Sequence, residues 1–300
     1  MNYYFVTVPN KQSGEWVALE QLAGVSGAEI LSQPPEGDGA IIFHINLNLM
    51  LTQKIEKVIS DMEVLFSREQ PVAFMIGVCR GWEEVESWRG VFEHLKKLTS
   101  IFFVHTQDQI KYLAKYGIEA TLIPPNEERY NGSVAFTQKT VVYTGFYWGE
   151  KNLRMFIETA RLLPDWKFTI QVGMDLPIRQ DLMTDNVSAN CNFMPPEEYM
   201  DFLAGFEYIW LPRTESPWIY AGRSGITAVA TGRPAILTDV GPNKIIPDAA
   251  CIKYSEDSSA EKIAELIRSQ PSVDSTAVSE FMEYVSPQSV WKTIESRMSA

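Results

Sequence analysis

Short apolar segments alternate with amphipathic segments along the first part of the chain. The apolar segments are rich in β-branched and aromatic residues and predict strands at Tyr3–Val8, Ala40–Ile45, Val72–Ile76 and Ile101–Val104. The amphipathic segments repeat apolar residues at spacings of three and four and predict helices at Leu51–Phe66, Trp88–Leu98 and Asp108–Tyr116. Continuous apolar strands separated by amphipathic helices are typical of a parallel sheet that is covered on both faces.

The alternation stops at residues 124–133 and then starts again. This interruption (PPNEERYNGS) holds turn-forming residues and has no periodic apolar face. Beyond it, strands are predicted at Val141–Thr144, Lys167–Val172, Val187–Phe193, Glu207–Leu211, Pro234–Leu237 and Cys251–Tyr254. Helices are predicted at about Lys151–Leu163, Glu197–Ala204, Gly225–Thr231, Ala260–Arg268 and Pro287–Met298, the last with Ser286 as its N-cap. The pattern predicts an α/β protein with two Rossmann-like βαβ domains, residues 1–130 and 131–300, that face each other across a cleft.

Composition and charge narrow the class of protein. The 300 residues are 45% hydrophobic and 21% charged, which is typical of a globular protein with substantial cores. Asp and Glu (38) outnumber Lys and Arg (26), so non-specific binding to nucleic acid or anionic membranes is not expected. The three cysteines are far apart and predict reduced thiols. With no signal-peptide pattern and no apolar run near the roughly 20 residues of a membrane helix, we expect a cytoplasmic protein without membrane insertion.

A segment with glycine and lysine follows the predicted strand Val141–Thr144. In this segment (GFYWGEKN), Gly145 allows a ligand to approach the backbone closely, and Lys151 falls in the first turn of the next helix. A helix N-terminus offers N–H groups and the positive end of the helix dipole. The combination favours binding of a phosphate or diphosphate, and an ordinary turn with a solvated lysine is the alternative.

A polar loop follows the strand Glu207–Leu211 and leads to another helix. Ser224 is expected to be the N-cap of that helix, with the N–H groups beyond it, at Gly225 and after, directed at a ligand. Arg223 suits bidentate phosphate binding, and Glu215 suits sugar hydroxyls. The alternative is a surface loop in which Glu215 pairs with an arginine.

A third turn, Thr238–Asn243, follows the strand Pro234–Leu237. Because the carboxyl ends of parallel strands lie at one edge of a sheet, we expect the three segments to lie at the same edge. In the first half, His105 follows a strand and is a candidate for the cleft, with capping or packing as its alternative. His44 lies inside an apolar strand and is interpreted as a core histidine. Trp218 can stack on a base or sugar ring, or pack in a core.

The order of these segments resembles the nucleotide-sugar-binding domain of the GT-B glycosyltransferases, especially the retaining family 4-like group. Val141–Leu163 is similar to the family's strand–glycine–loop–helix segment, and Cys191–Leu211 to its segment in which a strand ends in Leu-Pro. Ala228–Gly241 (AVATGRPAILTDVG) is similar to the Glu-Ala-x-Ala-x-Gly-x-Pro-Val-Ile-x-x-Asp-x-Gly stretch. Ile101–Asn126 resembles the last βαβ unit of the acceptor domain. The helix Pro287–Met298 suits the family's return of the C-terminus to the first domain.

The resemblance implies roles for single residues. Lys151 matches the lysine that binds donor phosphate. Phe146 stands where the family has a phosphate-binding arginine, and Arg223 can take over the role of that arginine. Glu215 stands for the first glutamate of the family's Glu-x7-Glu motif, which handles the donor sugar. Thr227 takes the place of the second glutamate, which normally holds ribose hydroxyls, and offers one hydroxyl.

The resemblance therefore predicts transfer of a hexose or pentose from a nucleotide diphosphate sugar to an acceptor hydroxyl, with retention of configuration. The donor-binding residues would be Gly145, Lys151, Arg223, Ser224, Gly225 and Thr227. No Asp-x-Asp motif is present, and neither a metal nor a cofactor is expected. A carbohydrate acceptor, a hydroxymethylated base of viral DNA and a non-catalytic sugar- or nucleotide-binding relative stay open. The 11 Lys and Arg against 17 Asp and Glu in residues 1–130 weigh against a nucleic-acid acceptor.

Overall fold

The computed structural model describes residues 2–7, 14–32, 35, 39–45, 72–76, 87–144, 152–172, 183–213 and 222–299. These residues form two compact units. Unit 1 holds the described residues up to Glu127 together with 284–299, and unit 2 holds those from Glu128 to Glu283.

Unit 1 contains a six-stranded parallel sheet. Its strands are β1 (Tyr3–Val6), β2 (Glu29–Leu31), β3 (Ala40–Ile45), β4 (Val72–Ile76), β5 (Phe102–Val104) and β6 (Thr121–Leu122). Their order across the sheet is β2-β1-β3-β4-β5-β6. Its first three described helices are α1 (Gly14–Ser26), α2 (Ser87–Leu98) and α3 (Gln107–Ala114).

Unit 2 contains a second six-stranded parallel sheet. Its strands are β7 (Thr137–Thr144), β8 (Lys167–Gln171), β9 (Val187–Asn190), β10 (Phe206–Leu211), β11 (Ala235–Thr238) and β12 (Ile252–Tyr254). The order β12-β11-β10-β7-β8-β9 is the Rossmann order. Its described helices are α4 (Leu153–Leu162), α5 (Pro196–Ala204), α6 (Arg223–Ala230), α7 (Ala260–Arg268) and α8 (Ser275–Tyr284). A 3₁₀ turn, Gly241–Ile245, follows β11.

The last helix, α9 (Pro287–Met298), packs in unit 1. Along each strand of the unit 1 sheet, alternate residues point to opposite faces of the sheet. One face, with Phe74 and Val104, packs against α2 and α3. The other face, with Phe5 and Phe103, packs against α1 and α9, where Trp291 is buried. Both faces of the sheet are therefore covered, as the continuous apolar strands require.

The prediction of an α/β fold with two Rossmann-like halves is confirmed. The start of α9 is also confirmed, because Ser286 Oγ accepts a hydrogen bond from Ser289 N. The sequence reading missed α1, β2 and α8. In α1 (GEWVALEQLAGVS), apolar and small residues surround the whole helix, so no helical period stands out. The predicted helix Leu51–Phe66 lies outside the described residues.

Candidate functional site

Three neighbouring strands of unit 2 end at the same edge of the sheet. β10 lies between β7 and β11, with Trp210 beside Tyr143 and Leu211 beside Leu237. The three segments that the sequence singled out therefore leave the sheet at one edge, as expected, and the strand order places them side by side. The order of the sheet reverses between β7 and β10. In open α/β sheets, ligands bind outside the carboxyl ends of the strands at this point.

Hydrogen bonds across three strands hold the end of β10. The backbone N–H of Arg213 donates to Thr238 Oγ1 (2.8 Å), and that hydroxyl donates to the Tyr254 hydroxyl (2.8 Å). Trp210 Nε1 donates to the same Tyr254 oxygen (3.0 Å). All four residues are buried, and burial raises the pKa of Tyr254 to about 12. This network fixes the backbone at Arg213, the last described residue before Glu215 in the sequence.

The beginning of α4 is tied to the same strand end. Its N-cap is Asn152, whose side chain accepts a hydrogen bond from Met155 N. The backbone N–H of Asn152 donates to Pro212 O (2.8 Å). The N-terminus of α4 therefore lies beside the exit of β10, which is the position expected of the helix after the glycine and lysine segment.

The beginning of α6 packs against the 3₁₀ turn that follows β11. Gly222, with φ of 63°, precedes the helix, and a Cβ there would lie 2.1 Å from Pro242 Cβ. A Cβ on Gly225 would lie 2.8 Å from Asn243 Oδ1. Asn243 is fully buried, and its Nδ2 donates to Thr238 O (2.9 Å). Thr238 thus binds both the exit of β10 and the turn that packs on α6.

Ser224 is not the N-cap of α6, and that expectation was wrong. Gly222 takes this position because its left-handed backbone turns the chain into the helix, which begins at Arg223. Ser224 lies inside the first turn and is partly exposed. Its backbone N–H nevertheless belongs to the N-terminal turn, where helices present donors to anions.

The structure describes four of the six predicted donor-binding residues, all of them in α6. Arg223 and Ser224 are partly exposed, and Gly225 is buried. Thr227 is buried in the second turn, and its hydroxyl donates to Arg223 O (3.1 Å). The remaining predicted residues of the site lie outside the described residues: Gly145, Lys151, Glu215 and Trp218.

Two features at this edge were not assigned a function from the sequence. Arg213, which is one of the arginines that Glu215 could pair with, is 4% exposed just beyond β10. Thr144 at the end of β7 is hydrogen-bonded to the hydroxyl of Tyr199 from α5. An arginine that closely follows an apolar strand is a pattern from which a role for Arg213 could have been predicted. The Thr144–Tyr199 contact joins residues far apart in the sequence, so no local pattern indicates it.

Polar side chains also lie at the carboxyl edge of the sheet in unit 1. His44 is buried, as expected of a core histidine, and its Nδ1 lies 3.3 Å from Thr7 Oγ1. His105 follows β5, and its Nδ1 lies 3.0 Å from Ile123 O. The His105 backbone N–H donates to Gln109 Oε1 (2.7 Å). Burial lowers the pKa of His105 from 6.5 to about 4, and the charge of a protonated His44 would lower it further.

Two kinds of feature are absent from the described residues. No group of three or more His, Cys, Asp or Glu side chains among them is arranged to hold a metal ion. No helix among them has the length and apolar character that crossing a membrane requires.

The structure is similar to solved glycosyltransferase structures. No protein-family model matches the sequence, and no curated protein matches it significantly. HepE from Anabaena in complex with UDP superposes with a TM-score of 0.73 at 12% identity over 100% of both chains. A glycosyltransferase from Rickettsia africae gives 0.69 at 10% identity, over 99% of this chain and 98% of the other. TarM gives 0.62 at 15% identity, over 87% of this chain but only 55% of its own length.

These similarities show the fold. The chain has the GT-B fold, in agreement with the two Rossmann-like halves and with the resemblance of its sequence. Proteins with this fold are built from two Rossmann-like units. In this chain, the sheet of the second unit has a switch point at its carboxyl edge.

Proposed function

We propose that the protein is a glycosyltransferase that moves a sugar from a uridine diphosphate sugar to an acceptor hydroxyl. One observation carries the proposal: in unit 2, the ends of three adjacent strands and the N-termini of α4 and α6 meet at the switch point of a Rossmann sheet. HepE, which shares the fold over its whole length, was crystallised with UDP and with UDP-glucose. The donor nucleotide is inferred from that similarity.

The donor diphosphate would lie at the two helix N-termini. There Lys151 and Arg223 supply positive charge, and the backbone N–H of Ser224 adds a donor. The N–H of Gly225, which was also expected to bind the donor, already donates to Gly222 O (3.1 Å). Gly145 would let the diphosphate approach the backbone. These groups would stabilise the negative charge that develops on the leaving diphosphate, which is the largest electrostatic demand of the reaction.

The sugar and the nucleoside would use other residues. Glu215 would accept hydrogen bonds from sugar hydroxyls and favour positive charge at the anomeric carbon. Thr227 would offer its hydroxyl oxygen towards the ribose, and His105 and Trp218 are assigned to the acceptor side. The leaving phosphate would help to deprotonate the acceptor, so the proposal names no separate protein base.

The proposal includes retention of configuration, no requirement for a metal or other cofactor, and action in the cytoplasm. Retention follows from the resemblance to the family 4-like group. The cytoplasmic location is supported by Cys191 and Cys251, which are free thiols in the structure.

A donor-by-acceptor screen tests this function. Purified protein is incubated with UDP, GDP, ADP and TDP sugars and with saccharide acceptors or hydroxymethylated duplex DNA, with and without EDTA. Products are read by mass spectrometry and the new anomeric configuration by NMR. We expect UDP release and a glycosylated saccharide that persist in EDTA. Binding of UDP without release under any acceptor would instead indicate a non-catalytic relative, and no binding of any donor would overturn the proposal.

A further inference from the structure

The end of β7 is held by the first turn of α5. Thr144 is the last residue of β7 and is fully buried, and its hydroxyl is hydrogen-bonded to the hydroxyl of Tyr199. Tyr199 lies in the first turn of α5, where its backbone N–H donates to Pro195 O (2.9 Å). One contact therefore joins a strand end at the switch point of the second sheet to the helix that follows β9.

A second hydrogen bond ties the neighbouring strand to the same part of the chain. Gln171, at the end of β8, lies beside Thr144 in the parallel register and is buried. Its Nε2 donates to Asn192 O (2.9 Å), between β9 and α5. We call Thr144, Gln171, Asn192 and Tyr199 the α5 anchor. It fixes two adjacent strand ends relative to the start of α5.

The N-terminus of α5 is poorly suited to bind an anion. Its first turn carries Glu197 and Glu198, both exposed, and these carboxylates complement the positive end of the helix dipole. They would also repel a diphosphate. What α5 offers at this edge of the sheet is the hydroxyl of Tyr199 on the end of β7, rather than a phosphate-binding helix N-terminus.

The α5 anchor fixes one side of the glycine and lysine segment. Thr144 directly precedes residues 145–151, and Asn152 directly follows them. Asn152 is fixed as well, because its backbone N–H donates to Pro212 O (2.8 Å) and its side chain caps α4. Both flanks of the segment are therefore held by hydrogen bonds. A loop whose ends are already held loses less conformational freedom when a ligand binds to it.

We propose that Tyr199 is a positioning residue of the donor site: through Thr144 it fixes where the segment with Gly145 and Lys151 leaves the sheet, and so favours binding of the donor diphosphate. The inference rests on the proposed function. It adds to that function a residue that carries no charge and acts on the donor through another residue.

Removal of the Tyr199 hydroxyl tests the inference. Tyr199→Phe keeps the aromatic ring and removes the hydrogen bond to Thr144. We expect the variant to bind UDP roughly three- to tenfold more weakly in calorimetry, the effect of one neutral hydrogen bond. Its affinity for uridine, followed by ligand-observed NMR, should stay near that of the wild type, because uridine lacks the diphosphate. Unchanged UDP affinity, or an equal loss for uridine and UDP, overturns the proposal.

Other variants separate positioning from a general loss of stability. Tyr208→Phe removes a hydroxyl of β10 that donates to Pro271 O (3.2 Å), beyond the end of α7. It should lower the free energy of unfolding as Tyr199→Phe does, but bind UDP as the wild type does. Thr144→Ser keeps the partner hydroxyl and should keep UDP affinity, whereas Thr144→Val should lose it. Equal losses of UDP affinity in Tyr208→Phe and Tyr199→Phe would show that stability alone is responsible.

A double-mutant cycle shows whether Tyr199 acts through the segment that carries Lys151. In a Lys151→Ala background, Tyr199→Phe should reduce UDP affinity less than it does in the wild type, because the charge that Tyr199 helps to position is gone. Tyr208→Phe in the same background is the control and should leave UDP affinity where Lys151→Ala alone puts it. Fully additive effects of Tyr199→Phe and Lys151→Ala would overturn the proposed route.

The inference and the proposed function fail in different ways. Sugar transfer by the wild type, together with wild-type UDP affinity in Tyr199→Phe, removes the role of Tyr199 and leaves the transferase. Weaker UDP binding in Tyr199→Phe without transfer to any acceptor removes the transferase and keeps Tyr199 as a positioning residue of a nucleotide site. Absence of UDP binding by the wild type removes both, since the proposed donor is a uridine diphosphate sugar.

Discussion

The backbone N–H of Arg213 is bound to the hydroxyl of Thr238 at a distance of 2.8 Å, and both residues are buried at the ends of neighbouring strands. Thr238 also donates to Tyr254 and holds the turn against α6 through its carbonyl oxygen. We expect Thr238→Val to lower kcat/KM for the donor about tenfold, because the exit of β10 loses its anchor, and to lower the free energy of unfolding by about 1–3 kcal/mol. Steady-state kinetics and chemical denaturation measure the two effects.

Two variants show whether the hydroxyl of Thr238 positions the site. Thr238→Ser keeps the hydroxyl and should recover most of kcat/KM. Thr159→Val makes the same substitution at a fully buried threonine whose Oγ1 has no hydrogen-bond partner among the described residues. It should leave both kinetics and stability near wild type. If Thr238→Val is destabilised but keeps the wild-type kcat/KM, the network serves stability alone.

Gly225 lies where α6 packs against the turn after β11. In Gly225→Ala, the new Cβ would lie 2.8 Å from Asn243 Oδ1 and 3.1 Å from Ile246 Cδ1, so helix and turn must separate. We expect a loss of about 1–3 kcal/mol in unfolding free energy and weaker UDP binding. Gly24→Ala, inside α1 with nothing within 4 Å of the new Cβ, should instead add up to about 1 kcal/mol. Calorimetry of UDP binding and thermal unfolding of both variants measure these effects. Unchanged UDP affinity in Gly225→Ala would show that this turn does not contribute to the donor site.

The sequence was informative where one local pattern determines structure. Apolar strands in unit 2 and the Ser286–Pro287 helix start were readable, because strand burial and capping are local. The N-cap of α6 was misassigned because its position depends on the contact between Gly222 and Pro242, which are 20 residues apart. Nothing in a single local pattern marks such a contact.

The candidate site was also predictable only in part from the sequence. The convergence of three segments follows from strand order, and parallel topology made it predictable. The network of Arg213, Thr238 and Tyr254 was not predictable, since it links three strands through side chains that look like ordinary core residues in the sequence. The tautomer of His105 likewise depends on a carbonyl 18 residues away.

The two cations of the proposed donor site should act on the diphosphate. Lys151→Ala and Arg223→Ala are each expected to weaken UDP binding or lower turnover roughly tenfold to a hundredfold, because a charge-assisted hydrogen bond contributes about 1.5–3 kcal/mol. The melting temperature should change little. Lys262→Ala removes an exposed lysine in α7 and serves as the control. Wild-type kinetics in both site variants would refute the assignment.

Glu215 is expected to serve the sugar rather than the nucleotide. Glu215→Gln should keep UDP affinity and stability while turnover falls more than about tenfold, since only the contact made in the transition state is lost. Pairing with Arg213 or Arg223 predicts another outcome, in which UDP affinity falls together with turnover. Comparing UDP affinity with kcat for this one variant distinguishes the two, and wild-type turnover would exclude Glu215 from the site.

Desolvation of the partly buried His105 should make the stability of the protein depend on pH between about 4 and 6.5. The pKa of His105 is lowered from 6.5 to about 4, mainly by burial, while the hydrogen bond to Ile123 opposes the shift and a charged His44 adds to it. In this pH range the unfolded chain therefore binds more protons at His105 than the folded chain does. The free energy of unfolding must then fall as pH drops from 6.5 towards 4, and the contribution is complete above pH 6.5.

His105→Asn removes this group, so its stability should decline less steeply over the same range, whereas His94→Asn should follow the wild type. Urea denaturation of the three proteins at closely spaced pH values measures the slopes. Parallel curves for wild type and His105→Asn would mean that His105 titrates as an ordinary solvated histidine, which would contradict its burial beside Ile123.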